Sequence, residues 1–215
     1  MSQPSHRRSN KLRRAESTRS VELAACRLFV ERGYRSTSME MIASEVGLTK
    51  GAVYFYYKDK ETLLLKLLAQ SEAHFFKQIF DSMDEKPNDP SEQIDVFLDQ
   101  IIRAGIEIDQ YLLLLPVLIS TEFKNRGNSV EASVRAIYER VYDKLTLVIK
   151  NGQISGEFTN HLNARSLAAM IVALTDGLLL EIYRQISGVT GKNIAIAASA
   201  SVNALLKGPA TNSVK

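Results

Sequence analysis

Two very short helical segments separated by a glycine constrain the fold of this chain more than any other feature. The first follows a predicted capping box, whose reciprocal partners are Thr37 and Glu40, and it ends at Gly47. The second covers residues 50–56, with Thr49 as its predicted N-cap. Helices of this length are unstable in isolation. We therefore expect both segments to be held in place by longer helices.

The sequence supplies a longer helix on each side of the pair. Residues 15–32 carry an apolar stripe with helical spacing, and Gly33 stops that helix. Asp59 is the predicted cap of a long helix that reaches about residue 83. The stripe of the first helix consists of Val21, Ala24, Ala25, Leu28 and Phe29. Two short helices joined by a tight turn and braced in this way form a helix-turn-helix, whose second helix enters a major groove of DNA.

The second short helix has two different faces. With Val53 at the centre of the inward face, Tyr57 lies on the same side at ~100° per residue. The face predicted to be exposed carries Gly51, Ala52, Tyr54 and Phe55. Small residues let the backbone approach DNA, and the aromatic side chains offer a hydroxyl to phosphate and an apolar edge to thymine methyl groups. The predicted phosphate-binding residues at the edges are Lys50, Lys58 and Lys60. The alternative interpretation is that the aromatic run 54–57 forms a buried cluster.

Basic charge is concentrated in the part of the chain that contains this arrangement. Residues 1–60 contain 12 Lys and Arg against 6 Asp and Glu, whereas residues 61–215 contain 15 against 18. A basic block attracts nucleic acid, although an ordinary solvated surface has the same composition. Residues 1–14 are polar and basic without an apolar period, so they predict a disordered arm.

Residues 24–64 resemble the DNA-binding domain of tetracycline-repressor-like (TetR family) transcriptional regulators. The segment reads AACRLFVERGYRSTSMEMIASEVGLTKGAVYFYYKDKETLL. The resemblance implies DNA contacts from Thr37, Ser38, Thr49, Lys50, Gly51, Ala52, Tyr54, Phe55, Tyr56 and Lys60. The family often has His-Phe where this chain has Tyr56-Tyr57, so the implied contact at Tyr56 departs from the family pattern.

The remainder of the chain also predicts helices, which gives an all-α fold of about nine helices. The predicted units are a helix-turn-helix DNA-binding domain over residues 15–62 and a ligand-binding and dimerisation domain over residues 63–215. Beyond residue 83 the predicted helices cover residues 90–108, 110–124, 129–150, 164–186 and 192–207. Pro116 is expected to bend the second of these helices.

The family resemblance implies that the second domain forms a homodimer and binds a small molecule, which we expect to be rather apolar. The last helix is rich in alanine and serine, and such small residues let helices of two subunits approach closely. Candidate ligand-binding residues are Phe97, Glu122, Phe123, Tyr138, Tyr142, Met170, Leu174 and Asp176. Aromatic and methionine side chains at this spacing equally suit a plain hydrophobic core.

The sequence favours a DNA-binding regulator over other classes. The family resemblance implies that this regulator is a repressor, which the small molecule releases from its operator. Its three histidines are far apart in sequence and lack metal-binding spacing, no glycine-rich phosphate loop follows a strand, and the single cysteine suits a reducing cytoplasm. We therefore expect no enzymatic activity, no cofactor, no metal site and no membrane span. The alternatives are a sequence-tolerant architectural DNA-binding protein and an all-helical small-molecule-binding protein or enzyme.

Overall fold

The computed structural model describes residues 5–106, 110–185, 188 and 190–208, with side chains described from residue 12 onward. Over these residues it contains nine helices and no strand, which confirms the predicted all-α fold. The helices are α1 (Ser5–Arg32), α2 (Met39–Glu45), α3 (Lys50–Tyr56), α4 (Lys60–Ser71, continued by a π-helical turn Glu72–Phe76 and by Lys77–Asp84), α5 (Pro90–Ile106), α6 (Gln110–Glu122), α7 (Ser129–Ser155), α8 (Ala164–Arg184) and α9 (Gly191–Lys207).

The first helix begins earlier than the sequence predicts. The stripe centred on Val21 and Ala25 is buried as expected, but α1 starts at Ser5 instead of residue 15. The predicted disordered arm over residues 1–14 is therefore corrected for residues 5–14, while residues 1–4 lie outside the described residues. The physical reason is that no glycine or proline interrupts residues 5–32, so nothing stops the helix from extending through the basic segment.

The N-caps of the short helices set where the helix-turn-helix begins and turns. Thr49 accepts a hydrogen bond from the Ala52 amide at 3.2 Å, as predicted. The cap of α2 is Ser38 instead of Thr37: its hydroxyl accepts a hydrogen bond from the Met41 amide at 3.2 Å. The N-cap is thus displaced by one residue, and the predicted reciprocal capping box does not form, because the residue three positions after Ser38 is Met41. Gly47, at φ +66°, makes the left-handed turn between the two helices that a larger residue adopts only with strain.

The helix-turn-helix packs on the second domain through the long helices. Contacts join α2 to α3 and to α1, and α1 and α4 both pack against α6. Helices α5 to α9 form a bundle in which α7 packs along α8, and α5 packs against both α8 and α9. Helix α8 is long and apolar enough to pass a compositional test for a membrane span. In the structure it instead supplies Ile171, Val172 and Leu179 to the buried core.

Helix α7 continues to Ser155, beyond the predicted end at residue 150, because Gly152 is tolerated inside it. The Phe158 ring occupies the space where a Cβ of residue 152 would lie, and the Phe158 amide donates to the Gly152 carbonyl at 2.9 Å. Gly156, with φ +79°, then ends the helix. The glycine at 152 therefore serves close packing of the turn.

Gly152→Ala is expected to lower the free energy of unfolding by about 2–3 kcal/mol. An ideal Cβ there would lie 2.2 Å from Phe158 Cδ2, and the Phe158 ring is buried, so the ring must move. Urea denaturation measures the effect. Gly51→Ala is the matched control because an added Cβ there meets no atom within 4 Å. We expect this variant to unfold at the same urea concentration as the wild type or at a higher one. Equal stability of the two variants would contradict the packing account.

Candidate nucleic-acid interface and internal cavity

Helix α3 presents one face to solvent and buries the other. Val53 is fully buried and Tyr57 is 8% exposed, whereas Tyr54 is 42% and Phe55 67% exposed. Gly51 is also exposed. We call the surface formed by Gly51, Ala52, Tyr54 and Phe55 the outer face of α3. Two large aromatic side chains that remain in solvent while a neighbour on the same helix is completely buried suggest that this face has a binding partner.

The inner face of α3 is tied to the two long helices by a short hydrogen-bond chain. The Tyr57 hydroxyl donates to Glu22 on α1, and Gln70 on α4 donates to the other oxygen of the same carboxylate at 2.9 Å. Burial, together with the hydrogen bond to Glu22, raises the pKa of Tyr57 well above its ordinary value, so the hydroxyl stays a donor. These contacts fix the orientation of α3, and with it the outer face.

Positive charge surrounds the outer face. The Lys50 ammonium lies 5.6 Å from the Tyr54 ring centre, and the Arg14 guanidinium lies 4.9 Å from that of Phe55. Lys50 also forms an exposed ion pair with Glu40 of α2, which lowers the pKa of the Glu40 carboxyl. Arg14 belongs to the segment predicted as a disordered arm, so the helical extension of α1 brings a cation beside α3.

Two residues implied as DNA contacts are committed to internal hydrogen bonds. Thr37 is buried, and its hydroxyl lies within hydrogen-bonding distance of the Leu28 and Gly33 carbonyls. The Lys60 ammonium donates to the Tyr34 and Thr37 carbonyls, both at 2.6 Å, and burial lowers its pKa. Both residues hold the connection between α1 and α2 (residues 33–38), because the carbonyls there have no helical partner.

The other implied contacts divide between exposed and half-buried positions. Thr49 and Lys50 are exposed at the N-terminus of α3, beside the outer face. Ser38 is half-buried because its hydroxyl caps α2. Tyr56 is half-buried, and its ring meets the Phe55 ring edge-on at 5.6 Å between centres. The departure from the family pattern at residue 56 therefore lies at the border of the outer face.

Glu122 and Phe123, which the sequence suggests as ligand residues, lie instead against Tyr34 in the connection between α1 and α2. The Glu122 carboxylate accepts a hydrogen bond from the Tyr34 amide at 3.1 Å. The Phe123 ring contacts the Tyr34 ring edge-on at 5.1 Å between centres. Gly33 leaves only 3.2 Å between an ideal Cβ and the Glu122 carboxylate, so the approach is tight. The C-terminal end of α6 thus contacts the α1–α2 connection through one hydrogen bond and one ring contact.

A small internal cavity of about 20 Å³ lies between α4, α5, α6, α7 and α8. It contains three of the predicted ligand residues, Phe97, Tyr138 and Asp176. The Tyr138 hydroxyl donates to Asp176 Oδ2 at 2.9 Å. Burial raises the pKa of the Asp176 carboxyl to about 6, and burial beside that carboxyl also raises the pKa of Tyr138. The complete lining is Phe76, Phe97, Ile101, Leu113, Pro116, Val117, Ile137, Tyr138, Val141, Val172, Thr175, Asp176 and Leu179.

The remaining predicted ligand residues do not line this cavity. Tyr142 lies next to it, 6.2 Å from Tyr138 between ring centres, and is covered by the Arg165 guanidinium at 4.9 Å. Leu174 is partly buried against the core. Met170 is 58% exposed and faces solvent, because its position on α8 lies opposite the buried stripe. Pro116 also lines the cavity. The sequence predicts that Pro116 bends its helix, but no spacing pattern in the sequence places it beside Asp176.

A larger, open cleft of about 380 Å³ lies between α1, α4 and α6. Two of its polar groups are already engaged: the Glu22 carboxylate accepts hydrogen bonds from Gln70 and from Tyr57, which helps to hold the helix-turn-helix together. No cluster of three or more potential metal ligands occurs among the residues that the structure describes.

Asp176→Asn is expected to stabilise the protein in a pH-dependent way. The raised pKa means that the folded protein binds this proton more tightly than the unfolded chain, so ionisation of Asp176 opposes folding. Asparagine keeps an acceptor for Tyr138 without the charge. We expect a gain in the free energy of unfolding of about 1–3 kcal/mol at about pH 8 that disappears below about pH 4. A gain that is independent of pH in urea titrations would contradict the buried-charge account.

Comparison with known proteins places these features in a family. The model "Bacterial regulatory proteins, tetR family" matches residues 23–67, which span the helix-turn-helix and the adjoining parts of α1 and α4. The HTH-type transcriptional repressor BepR of Brucella suis is 26% identical over 81% of this chain and 84% of its own length. Both matches include the segment that carries the outer face of α3.

Solved structures resemble the whole described fold. The MbdR regulator of Azoarcus sp. CIB has a TM-score of 0.80 and 33% identity, covering 90% of this chain and 98% of that one. AibR, solved in complex with isovaleryl coenzyme A and operator DNA, has a TM-score of 0.72 and 21% identity, covering 89% and 98% of the two chains. The similarity therefore extends well beyond the helix-turn-helix into the second domain.

Proposed function

Because the chain belongs to the TetR family of bacterial transcriptional regulators, we propose that it is a ligand-responsive repressor that binds a pseudopalindromic operator as a homodimer. The observation that carries this proposal is the outer face of α3, where Tyr54 and Phe55 stay exposed while Val53 is fully buried. A helix held in this way can lie in a major groove with its small and aromatic side chains against the bases.

We assign the DNA contacts to the two ends and the outer face of α3. Thr49 and Lys50 contact phosphate at the helix N-terminus, where the backbone amides and the helix dipole favour an anion. Gly51 and Ala52 allow close approach, and Tyr54 and Phe55 reach the groove. Further contacts come from Ser38, Tyr56 and Lys58 at the border. Lys60 and Thr37 act indirectly, since they hold the α1–α2 connection through hydrogen bonds to its carbonyls.

Dimerisation is assigned to α8 and α9. Each of these helices has a stripe of exposed, mostly small or apolar residues opposite its buried side. The stripe on α8 consists of Ser166, Ala169, Met170, Ala173 and Gly177, and the stripe on α9 consists of Ile196, Ala197, Ala200, Ser201 and Ala204. Small residues let two helix pairs approach closely, as a four-helix interface between subunits requires. Two recognition helices would then meet successive major grooves about 34 Å apart.

Effector release is assigned to the cavity and to α6. At about 20 Å³ the cavity holds no more than a water molecule, so an effector enters only by displacing its walls. Pro116 on α6 forms part of the wall, and Glu122 at the end of the same helix holds the Tyr34 amide. A molecule that moves α6 therefore moves the α1–α2 connection. In this scheme residues 15–62 are the DNA-binding unit and residues 63–215 the effector-binding and dimerisation unit.

This proposal treats the chain as a cytoplasmic regulator without catalytic activity or a cofactor. Its relatives are regulators, and the cavity of about 20 Å³ has no room for a substrate unless its walls move.

DNA footprinting on the region upstream of the protein's own gene tests the proposal. We expect protection of one pseudopalindromic site by two protomers, and reduced transcription from a promoter that contains that site. Tyr54→Ala should abolish protection, whereas Asn88→Ala, in the exposed turn before α5, should not. Absence of a protected site would contradict the proposed operator upstream of the gene. Increased transcription from the promoter would show that the protein is an activator and not a repressor.

A further inference from the structure

The charge of Asp176 is the one feature of the cavity that a plain hydrophobic core does not explain. Its lining contains no lysine, arginine or histidine, and the structure shows one hydrogen bond to its carboxyl, from Tyr138. The basic side chain beside neighbouring Tyr142 is Arg165, which is already paired with Glu139 and Asp143. Among the residues that the structure describes, Asp176 is therefore a half-buried carboxylate without a counter-ion, in a largely apolar lining.

A structural role for Asp176 would not require this charge. Tying α7 to α8 through the Tyr138 hydroxyl needs only an acceptor, which an asparagine supplies without the cost of partly desolvating an anion. Thr175, the other polar residue of the lining, lies with its hydroxyl 2.9 Å from the Val172 carbonyl on its own helix, so it does not compensate the charge. The negative charge is thus available to a bound molecule.

The geometry points to an effector with a protonated amine on a small apolar, preferably aromatic, body. The amine would donate to the Asp176 carboxylate, while Phe76, Phe97 and Pro116 would enclose the body. A hydrogen bond between two charged groups in such a surrounding is stronger than one between neutral groups. A free carboxylate would meet the like charge of Asp176 without a compensating cation. This inference rests on the assignment of the cavity as the effector site.

Three ligands of similar shape separate charge from fit: phenethylammonium, 2-phenylethanol and phenylacetate. We expect calorimetry at about pH 7.5 to show phenethylammonium binding to the wild-type dimer at least about tenfold more tightly than 2-phenylethanol. Phenylacetate should bind least. Asp176→Asn should remove the preference and leave the two better ligands within about threefold of each other. Asp81→Asn, which removes an exposed carboxylate paired with Lys77, is the matched control and should keep the preference.

The inference is overturned if phenylacetate or 2-phenylethanol binds as tightly as the cation, if the preference survives in Asp176→Asn, or if none of the three binds. Operator binding is measured separately on the same preparations. If the protein binds its operator but does not prefer the cation, only the inferred class of effector is contradicted. A protein that prefers the cation but recognises no operator contradicts the proposed regulator and leaves the cation site standing.

Discussion

Gly51→Glu is expected to weaken operator binding by at least about 100-fold without disturbing the fold. An ideal Cβ at residue 51 meets no atom within 4 Å, so the glutamate extends into solvent from the outer face of α3. In a DNA complex the same side chain would face phosphates and base edges, and its negative charge would be desolvated against them. Fluorescence anisotropy with labelled operator measures the loss, and thermal unfolding reports on the fold.

Two controls separate position from charge in this experiment. Gly51→Ala, which adds a methyl group and no charge, should lower affinity by less than the glutamate does. Asn88→Glu adds the same charge in the turn between α4 and α5, far along the chain from α3, and should leave operator affinity within about twofold. Full affinity of Gly51→Glu would mean that the outer face of α3 does not meet DNA.

Ala173→Arg is expected to convert the proposed homodimer to a monomer and, as a consequence, to abolish operator binding. Residue 173 lies in the middle of the exposed stripe on α8, where two copies of the arginine would meet in a closely packed interface. An unpaired buried cation destabilises such a contact, and we expect the dimer dissociation constant to rise by about 100-fold or more. Sedimentation equilibrium measures this constant directly.

The arginine must act through the interface and not through the fold. Residue 173 is solvent-exposed in the single chain, so the monomer should keep its helix content by circular dichroism. Asn88→Arg supplies the matched control at an exposed turn and should remain dimeric. If Ala173→Arg stays dimeric and binds operator, the dimer interface lies elsewhere on the second domain.

Local patterns predict the two faces of α3 because a helix of fixed pitch needs no information from the rest of the chain. Val53 and Tyr57 are buried, and Tyr54 and Phe55 are exposed, as periodicity indicates. The alternative interpretation, a buried aromatic cluster over residues 54–57, is therefore wrong for Tyr54 and Phe55, because both rings are exposed. The caps Thr49 and Asp59 are likewise local, since each bonds an amide three residues away.

The site residues that the sequence assigns to the wrong role are those whose partners lie far away in the sequence. Lys60 reaches carbonyls 23 and 26 residues earlier, and Glu122 reaches an amide 88 residues away, and neither contact leaves a periodic signal. The Tyr138–Asp176 pair joins two helices that the sequence places only in a common domain. The role of each of these polar side chains depends on a partner that only the fold brings close. The residue type alone therefore does not tell whether the side chain contacts DNA, contacts a ligand or stabilises the structure.

The most direct test of the account is the ratio of affinities for the upstream operator and for scrambled DNA of equal length, measured across a salt series. Phosphate contacts weaken with salt on both DNAs, whereas base contacts from the outer face of α3 appear only on the operator. We predict a ratio of about 10³ or more at physiological salt, which Gly51→Glu reduces towards one. A wild-type ratio near one at every salt concentration would contradict sequence-specific recognition and identify a sequence-tolerant DNA-binding protein.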